Sequence, residues 1–312
     1  MRGERTEEVV APGSVRVLVA GGTGLLGQAL LATAPASYDV LATSYRNTPP
    51  PEWRSRFRRV DVRDAEAVHE VIAGFRPAAV VHAASVGSVD QAEQDPEGVR
   101  SVNIGGLQAV ARACDRVGAL VVFVSSNAVF DGTNPPYAED APCCAINRYG
   151  ALKIEAERWL LASGVPHVIV RPILMYGWPL AGGRGNAVTR WLEDFEAGRP
   201  VRVAEDIHSM PLLASNGAEA IWSAIQGNSR GIYHVAGADR VSLADFARET
   251  ARVFGYRDGL VVPVPSSSFT TLAPRPLDTS FVTSKMERDL GVRPIGIREG
   301  LVEMQRTRVL SR

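Results

Sequence analysis

The chain has 312 residues, 46 % of them hydrophobic and 22 % charged, enough apolar material for one large core or two modest ones, which excludes a disordered or fibrous protein. Lys plus Arg and Asp plus Glu both number 34, and a formal charge of +0 argues against the basic footprint of a nucleic-acid or anionic-membrane binder. No apolar run reaches the roughly 18 residues of a membrane span. The opening Met-Arg-Gly-Glu-Arg-Thr-Glu-Glu lacks the apolar stretch of a secretory signal, and the three cysteines, with Cys143 and Cys144 adjacent, have neither disulfide nor zinc spacing. A cytoplasmic protein without a catalytic metal is expected.

Residues 1–14 are polar, with Pro12 and Gly13, and read as a frayed tail. β-Branched runs then follow at 15–20, 40–45, 59–62, 79–83, 120–125 and 167–170, each predicting a strand buried on both faces. Helical patterns lie between them at 25–33, 64–75, 97–117 and 148–162. After Pro172 the alternation breaks at Gly177, Pro179, Gly182, Gly183 and Gly185, and Pro-rich connections follow at 262–268 and 273–276. The expected fold class is α/β: a Rossmann-type doubly wound parallel sheet over 15–172, then a smaller mixed lobe over 173–312 that binds substrate and returns segments to the sheet domain.

The first strand runs into Gly21-Gly22-Thr23-Gly24-Leu25-Leu26-Gly27 and then into a helix. Such a turn lets backbone approach a pyrophosphate at a helix N-terminus, and this placement between strand and helix distinguishes it from an ordinary tight turn. An NAD site usually ends its second strand on an acid that holds the ribose 2′-hydroxyl. Here that strand ends Thr43-Ser44-Tyr45-Arg46, and Arg46 with Ser44 suits a 2′-phosphate unless Arg46 is simply a loop residue. NADPH is therefore the expected cofactor, with NADH the alternative.

Tyr149-Gly150-Ala151-Leu152-Lys153 opens a helix and puts tyrosine and lysine on one face. An ammonium one turn away lowers a phenol's pKa, and moving it from about 10 to about 7 requires roughly 4 kcal/mol, which a cationic nicotinamide and partial burial would have to supplement. The fifth strand ends in Ser125-Ser126, where a hydroxyl polarises a substrate oxygen or merely caps a turn. His82, in an apolar strand, reads as a satisfied core residue without chemistry, and the histidines share no metal spacing.

With these motifs the chain resembles the extended short-chain dehydrogenase/reductases, most closely the dTDP-4-dehydrorhamnose reductase-like proteins, from Val15 to about Leu301. Further matching strings are Asp61-Val62-Arg63-Asp64, Val81-His82-Ala83-Ala84, Val89-Asp90-Gln91-Ala92-Glu93, Val102-Asn103, Val129-Phe130-Asp131-Gly132, Tyr176-Gly177 and Arg275-Pro276. The resemblance implies that Asp61 and Val62 border the adenine and that Ala83, Ala84, Ser85 and Pro172 line the cofactor, with Tyr149 and Lys153 on the nicotinamide ribose. It further implies a nucleotide-sugar substrate near Val86, Ser126, Asn127, Asn186 and Arg275, although Asn186 also suits a helix cap and Arg275 a solvated loop. A homodimer is the assembly the resemblance allows.

There are departures from the family pattern. Asn127-Ala128 replaces aspartate-tyrosine, and Leu174 replaces a tryptophan, so two aromatics expected to face the sugar are missing and a sugar other than the rhamnose precursor is implied. The leading expectation is an NADPH-dependent reductase of a nucleotide-linked 4-keto-deoxysugar. The alternatives are an epimerase that retains NAD, and a non-catalytic NADP-binding regulatory subunit, whose mark would be a broken Ser, Tyr, Lys set. Dehydratase chemistry fits less well, because Asn127-Ala128 cannot exchange protons as an acidic pair does.

Overall fold

The computed structural model describes residues 14–308, so the tail expected over 1–14 lies outside the described residues except for Ser14. Strands β1 (Val15–Ala20), β2 (Tyr38–Ser44), β3 (Phe57–Arg59), β4 (Ala79–His82), β5 (Leu120–Val124) and β6 (His167–Pro172) run parallel. The chain then makes β7 (Met175–Tyr176), β8 (Val201–Ala204), β9 (His208–Ser209) and β10 (Leu212–Leu213) before β11 (Gly231–Val235) returns to pair in parallel with β6. The resulting seven-stranded sheet has the order β11-β6-β5-β4-β1-β2-β3, which reverses direction beside β1 as a Rossmann sheet does.

Alternation along each strand divides the core. Val17, Val19, Val81, Val122 and Val170 face α1 (Leu25–Ala32) and α8 (Ala214–Gln226), where Leu30, Ile221 and Trp222 cover them. On the opposite face, Leu18, Val80, Val121, Phe123 and Ile169 meet α2 (Ala65–Phe75), α5 (Gly106–Val117) and α6 (Arg148–Ala162) through Ile72, Leu107, Val110 and Leu160. A third cluster, with Trp191, Phe195, Phe246, Leu301 and Met304, joins α7 (Ala187–Glu196), α9 (Leu243–Val253) and α11 (Ile297–Thr307) in the second lobe.

The third strand occupies 57–59, earlier than expected. Phe57 is its buried residue, and beyond Arg59 only Val60 N still reaches Ser44 O, at 2.9 Å. The helix expected over 97–117 is interrupted: α4 (Pro96–Arg100) passes through a π-helical turn at Ser101–Gly105 into α5. That turn aims Asn103 at Val86, whose N–H donates to Oδ1 at 2.8 Å and whose carbonyl accepts from Nδ2 at 3.1 Å. Helix α3 (Val89–Gln94) and strand β11 were not expected. Helix α6 spans its expected residues because Asn147 caps it, accepting from Gly150 N at 2.8 Å.

Candidate active site

The glycine turn is shaped by contacts that side chains would prevent. Gly21 has φ +89°, and a Cβ there would lie 2.7 Å from Ala84 N; one on Gly27 would lie 2.3 Å from Gly21 O. Helix α1 begins after Gly24 without a side-chain cap, leaving its first N–H groups for a ligand. A cleft of about 280 Å³ lies above the turn, lined by Gly21, Thr23 and Gly24, by Ser44 and Arg46 at the end of β2, by Asp61 and Val62, and by Ala83, Ala84 and Ser85 after β4. Val86, expected beside the substrate, also lines it. Leu25, Leu26, Gly27 and Pro172 are absent from its walls: Leu26 and Gly27 are buried in the packing of α1, and Pro172 pairs with Val235. The Asp61 carboxylate is not left free at the rim, because Arg63 engages it through Nε at 3.0 Å and Nη2 at 2.6 Å, holding its pKa below the usual carboxylate range. Arg59 and Arg63 both lie over the Tyr45 ring, 5.8 and 5.7 Å from its centroid. Sequence reasoning missed this rim of guanidinium groups; its signal was the closeness of Arg59 and Arg63 to Asp61.

At the sheet's carboxyl edge, Ser126 starts a single 3₁₀ turn and its Oγ accepts from Ala128 N at 3.1 Å. Gly150 approaches the same turn so closely that a Cβ on it would stand 2.0 Å from Ala128 O. The adjoining Tyr149 is buried, and its phenol meets the hydroxyls of Ser126 and Ser85. Burial raises the phenol's pKa, while those hydrogen bonds and the charge of Arg184 act in the opposite direction. Partial burial therefore opposes proton release, contrary to the expectation that it would help, because it penalises the phenolate. Lys153 sits one turn below, 2 % exposed, with Nζ donating to Val124 O at 2.9 Å and lying 5.8 Å from the Tyr149 ring centroid. Burial pushes its pKa down to about 8, against the opposing charge of Glu157.

His82 is buried as expected but not satisfied: neither ring nitrogen has a hydrogen-bond partner, and burial, then the Lys153 charge, push its pKa down to about 3. Asn127 Nδ2 donates to Thr279 Oγ1 at 2.6 Å, joining the turn after β5 to the second lobe. Asn186 caps α7: Oδ1 accepts from Thr189 N at 3.3 Å, and Nδ2 donates to Gly177 O at 2.7 Å. Arg275 pairs with Asp90. The structure thus brings Ser126, Tyr149 and Lys153 together, and gives Asn186 and Arg275 partners within the protein. Ser85 was expected on the cofactor and also meets Tyr149, while Arg184, whose charge acts on Tyr149, had no distinguishing local pattern. Among the described residues no group of three His, Cys, Asp or Glu side chains is placed to hold a metal ion, and no helix is long and apolar enough to cross a membrane.

Sheet order, glycine turn and the Ser126, Tyr149, Lys153 group define the extended short-chain dehydrogenase/reductase class. The chain belongs to the family described as RmlD substrate binding domain, which matches residues 15–309. It is similar to methionine adenosyltransferase 2 subunit beta of Rattus norvegicus, 35 % identical over 172 residues, which is 55 % of this chain and 50 % of that one; the chain thus spans about half the length of that relative. Similarity to dTDP-4-dehydrorhamnose reductase of Sinorhizobium fredii is 27 % identity over 290 residues, covering 89 % of this chain and 93 % of the other. The crystal structure of dTDP-4-dehydrorhamnose reductase from Bacillus anthracis in complex with NADP superposes with a TM-score of 0.83 at 26 % identity, covering 94 % and 99 % of the two chains.

Proposed function

We propose that this protein is an NADPH-dependent reductase of a nucleotide-linked 4-keto-deoxysugar. The observation that carries the reading is the meeting of the Ser126 and Ser85 hydroxyls with the Tyr149 phenol, one turn above Lys153. The close approach of Gly21 to Ala84 and the uncapped start of α1 fit a pyrophosphate, and Ser44 and Arg46 suit a 2′-phosphate. NADPH bound there would supply the hydride for the keto carbon. Tyr149 delivers its phenolic proton to the carbonyl oxygen, and Ser126 donates a hydrogen bond to that oxygen as its charge develops. Lys153 has N–H donors beyond the one given to Val124 O; they hold the ribose hydroxyls, and the ammonium favours the phenolate once the proton has left. The sugar nucleotide lies between the sheet edge and the second lobe, near Val86, Asn127, Asn186 and Arg275.

A panel of nucleotide-linked 4-keto sugars incubated with NADPH, followed at the nicotinamide absorbance, tests this. Oxidation with at least one member is expected. NAD that co-purifies and survives dialysis would instead favour an epimerase. The similarity to methionine adenosyltransferase 2 subunit beta favours a second reading, a regulatory subunit that binds NADP. NADPH binding without oxidation by any sugar, together with an altered rate of a methionine adenosyltransferase on addition of this chain, would select it.

A further inference from the structure

Helix α6 places Tyr149, Lys153 and Glu157 four residues apart, so they share one face, and all three are buried. Glu157 is only 3 % exposed, where an unpaired carboxylate would be costly. Its Oε1 accepts from the Ser125 hydroxyl and from Arg171 Nε at 3.0 Å, and its Oε2 accepts from Arg171 Nη2 at 2.7 Å. Arg171 is in turn held from behind, donating through Nη1 to Glu139 O at 3.3 Å and through Nη2 to Cys143 Sγ at 3.2 Å. Its Nη1 also meets His234 Nε2 at 3.2 Å. Because a guanidinium only donates, His234 Nε2 is the acceptor there, and Nδ1 carries the proton given to Tyr137 O at 3.1 Å. The carboxylate is thereby fixed from β6, β11 and the 137–143 segment.

Both ends of this arrangement meet the reacting group. Ser125 adjoins Ser126 and is pinned to β6 by its N–H on Val170 O at 2.7 Å. Lys153 meets the Val124 carbonyl and Phe123 ring of β5 and the Tyr149 ring of its own helix, while His82 of β4 and Glu157, one turn further along that helix, lie within reach of its charge. Glu157 supplies the carboxylate among these neighbours, with Arg171 on its far side.

We propose that Glu157 is a positioning residue: its carboxylate locks the strand end bearing Ser126 to the helix bearing Tyr149 and Lys153, and keeps the buried Lys153 an ammonium. This rests on the reading of Lys153 as the ribose-holding cation. A purely structural ion pair would hold the helix and leave the lysine's titration unchanged.

Composition provides the probe, since Lys153 and Lys285 are the only lysines in the chain. Lysine labelled with 13C at Cε gives two resonances, assigned with Lys285→Arg, whose pH titrations can be followed without substrate. In Glu157→Gln the Lys153 midpoint is expected to fall by about one pH unit, the scale on which a near opposite charge acts, while Lys285 stays put. Glu157→Asp keeps a paired charge but withdraws it by one methylene, and its midpoint is expected between the two. A wild-type midpoint in folded Glu157→Gln would overturn the proposal; should that variant fail to fold, a wild-type midpoint in Glu157→Asp would do so. Absence of sugar reduction would overturn the reductase reading and leave this titration unaffected.

Discussion

Arg275 grips Asp90 across 185 positions of sequence, with Nη2 2.9 Å from Oδ2 and Nη1 3.3 Å from Oδ1. Ala273 N donates to the same carboxylate at 3.0 Å, and Asn147, the cap of α6, donates through Nδ2 to Pro274 O at 3.0 Å. The 273–276 segment is thus fastened both to α3 and to the start of the helix that carries Tyr149. Two strings that the sequence offers separately, Val89-Asp90-Gln91-Ala92-Glu93 and Arg275-Pro276, are halves of one contact.

Releasing that segment should change substrate binding more than folding. Both partners are more than a third exposed, so their pair contributes about 0–1 kcal/mol. Asp90→Asn is expected to leave the denaturant midpoint almost unchanged while raising KM for the sugar nucleotide several-fold. Arg275 holds the Asp90 carboxyl below its ordinary range, so this contribution is present above the unfolded pKa and is lost as pH falls through the lower folded value. An unchanged KM would show that the fastening does not reach the substrate.

Tyr149→Phe retains the ring in its buried place but removes the phenolic proton that the proposed reduction uses. A loss of about 10²- to 10⁴-fold in kcat is expected, with NADPH binding and circular dichroism close to wild type. Wild-type kcat would mean that another group is the acid.

Lys153→Met is expected to stabilise the fold while weakening NADPH binding and turnover. Burial lowers the lysine pKa from 10.5 to about 8, so its charge costs about 3 kcal/mol in the folded state, less whatever its Val124 contact returns. That cost is fully present below about 8 and fades as pH rises toward 10.5, because the unfolded chain then holds the extra proton. Urea unfolding should show the variant ahead at neutral pH and the gap narrowing in alkali. A variant less stable at neutral pH would contradict the assignment of the burden to the ammonium.

NADPH should be preferred over NADH by one to two decades in kcat/KM, on the basis of about 1.5 to 3 kcal/mol for each charge-assisted hydrogen bond from Arg46. Ser44→Asp with Arg46→Ala should reverse the preference, and rising salt should narrow it in wild type. Equal kcat/KM for the two cofactors would return Arg46 to a loop residue and shift attention to Arg59 and Arg63, which already lie against Tyr45.

Ala128→Tyr with Leu174→Trp restores the two aromatics of the rhamnose-pathway reductases. Both native residues are half-buried, Ala128 beside the Tyr149 cluster and Leu174 against the second lobe, so new rings must displace neighbours or enter the substrate space. Turnover of the native sugar should fall. Efficient reduction of dTDP-4-dehydrorhamnose by wild type, with no loss in the double variant, would remove the case for a remodelled pocket.

What the sequence disclosed follows the range of each interaction. Helix α6 was legible because its tyrosine and lysine lie one turn apart within 149–153, while its Asn147 cap went unread. The glycine turn was legible because one local backbone path serves both strand and helix. By contrast, Glu157 meets Arg171 14 positions later and Arg275 meets Asp90 185 positions earlier, and neither pairing leaves a local pattern. The third strand was displaced because Arg58 and Arg59 interrupt the apolar run that periodicity relies on. Strand β11 escaped notice because Gly231–Val235 follows a stretch of mixed short elements, and its reason for being a strand is the waiting edge of β6.

That late strand constrains how the protein emerges from the ribosome. Residues 167–172 are synthesised long before 231–235, so the outer hydrogen-bonding edge of β6 has no native cover until the intervening 173–230 have been made. An uncovered parallel edge is a template for pairing with other chains. Nascent chains stalled or truncated near residue 230 should therefore be an aggregation-prone species even though every residue of the glycine turn, Ser126, Tyr149 and Lys153 is already present.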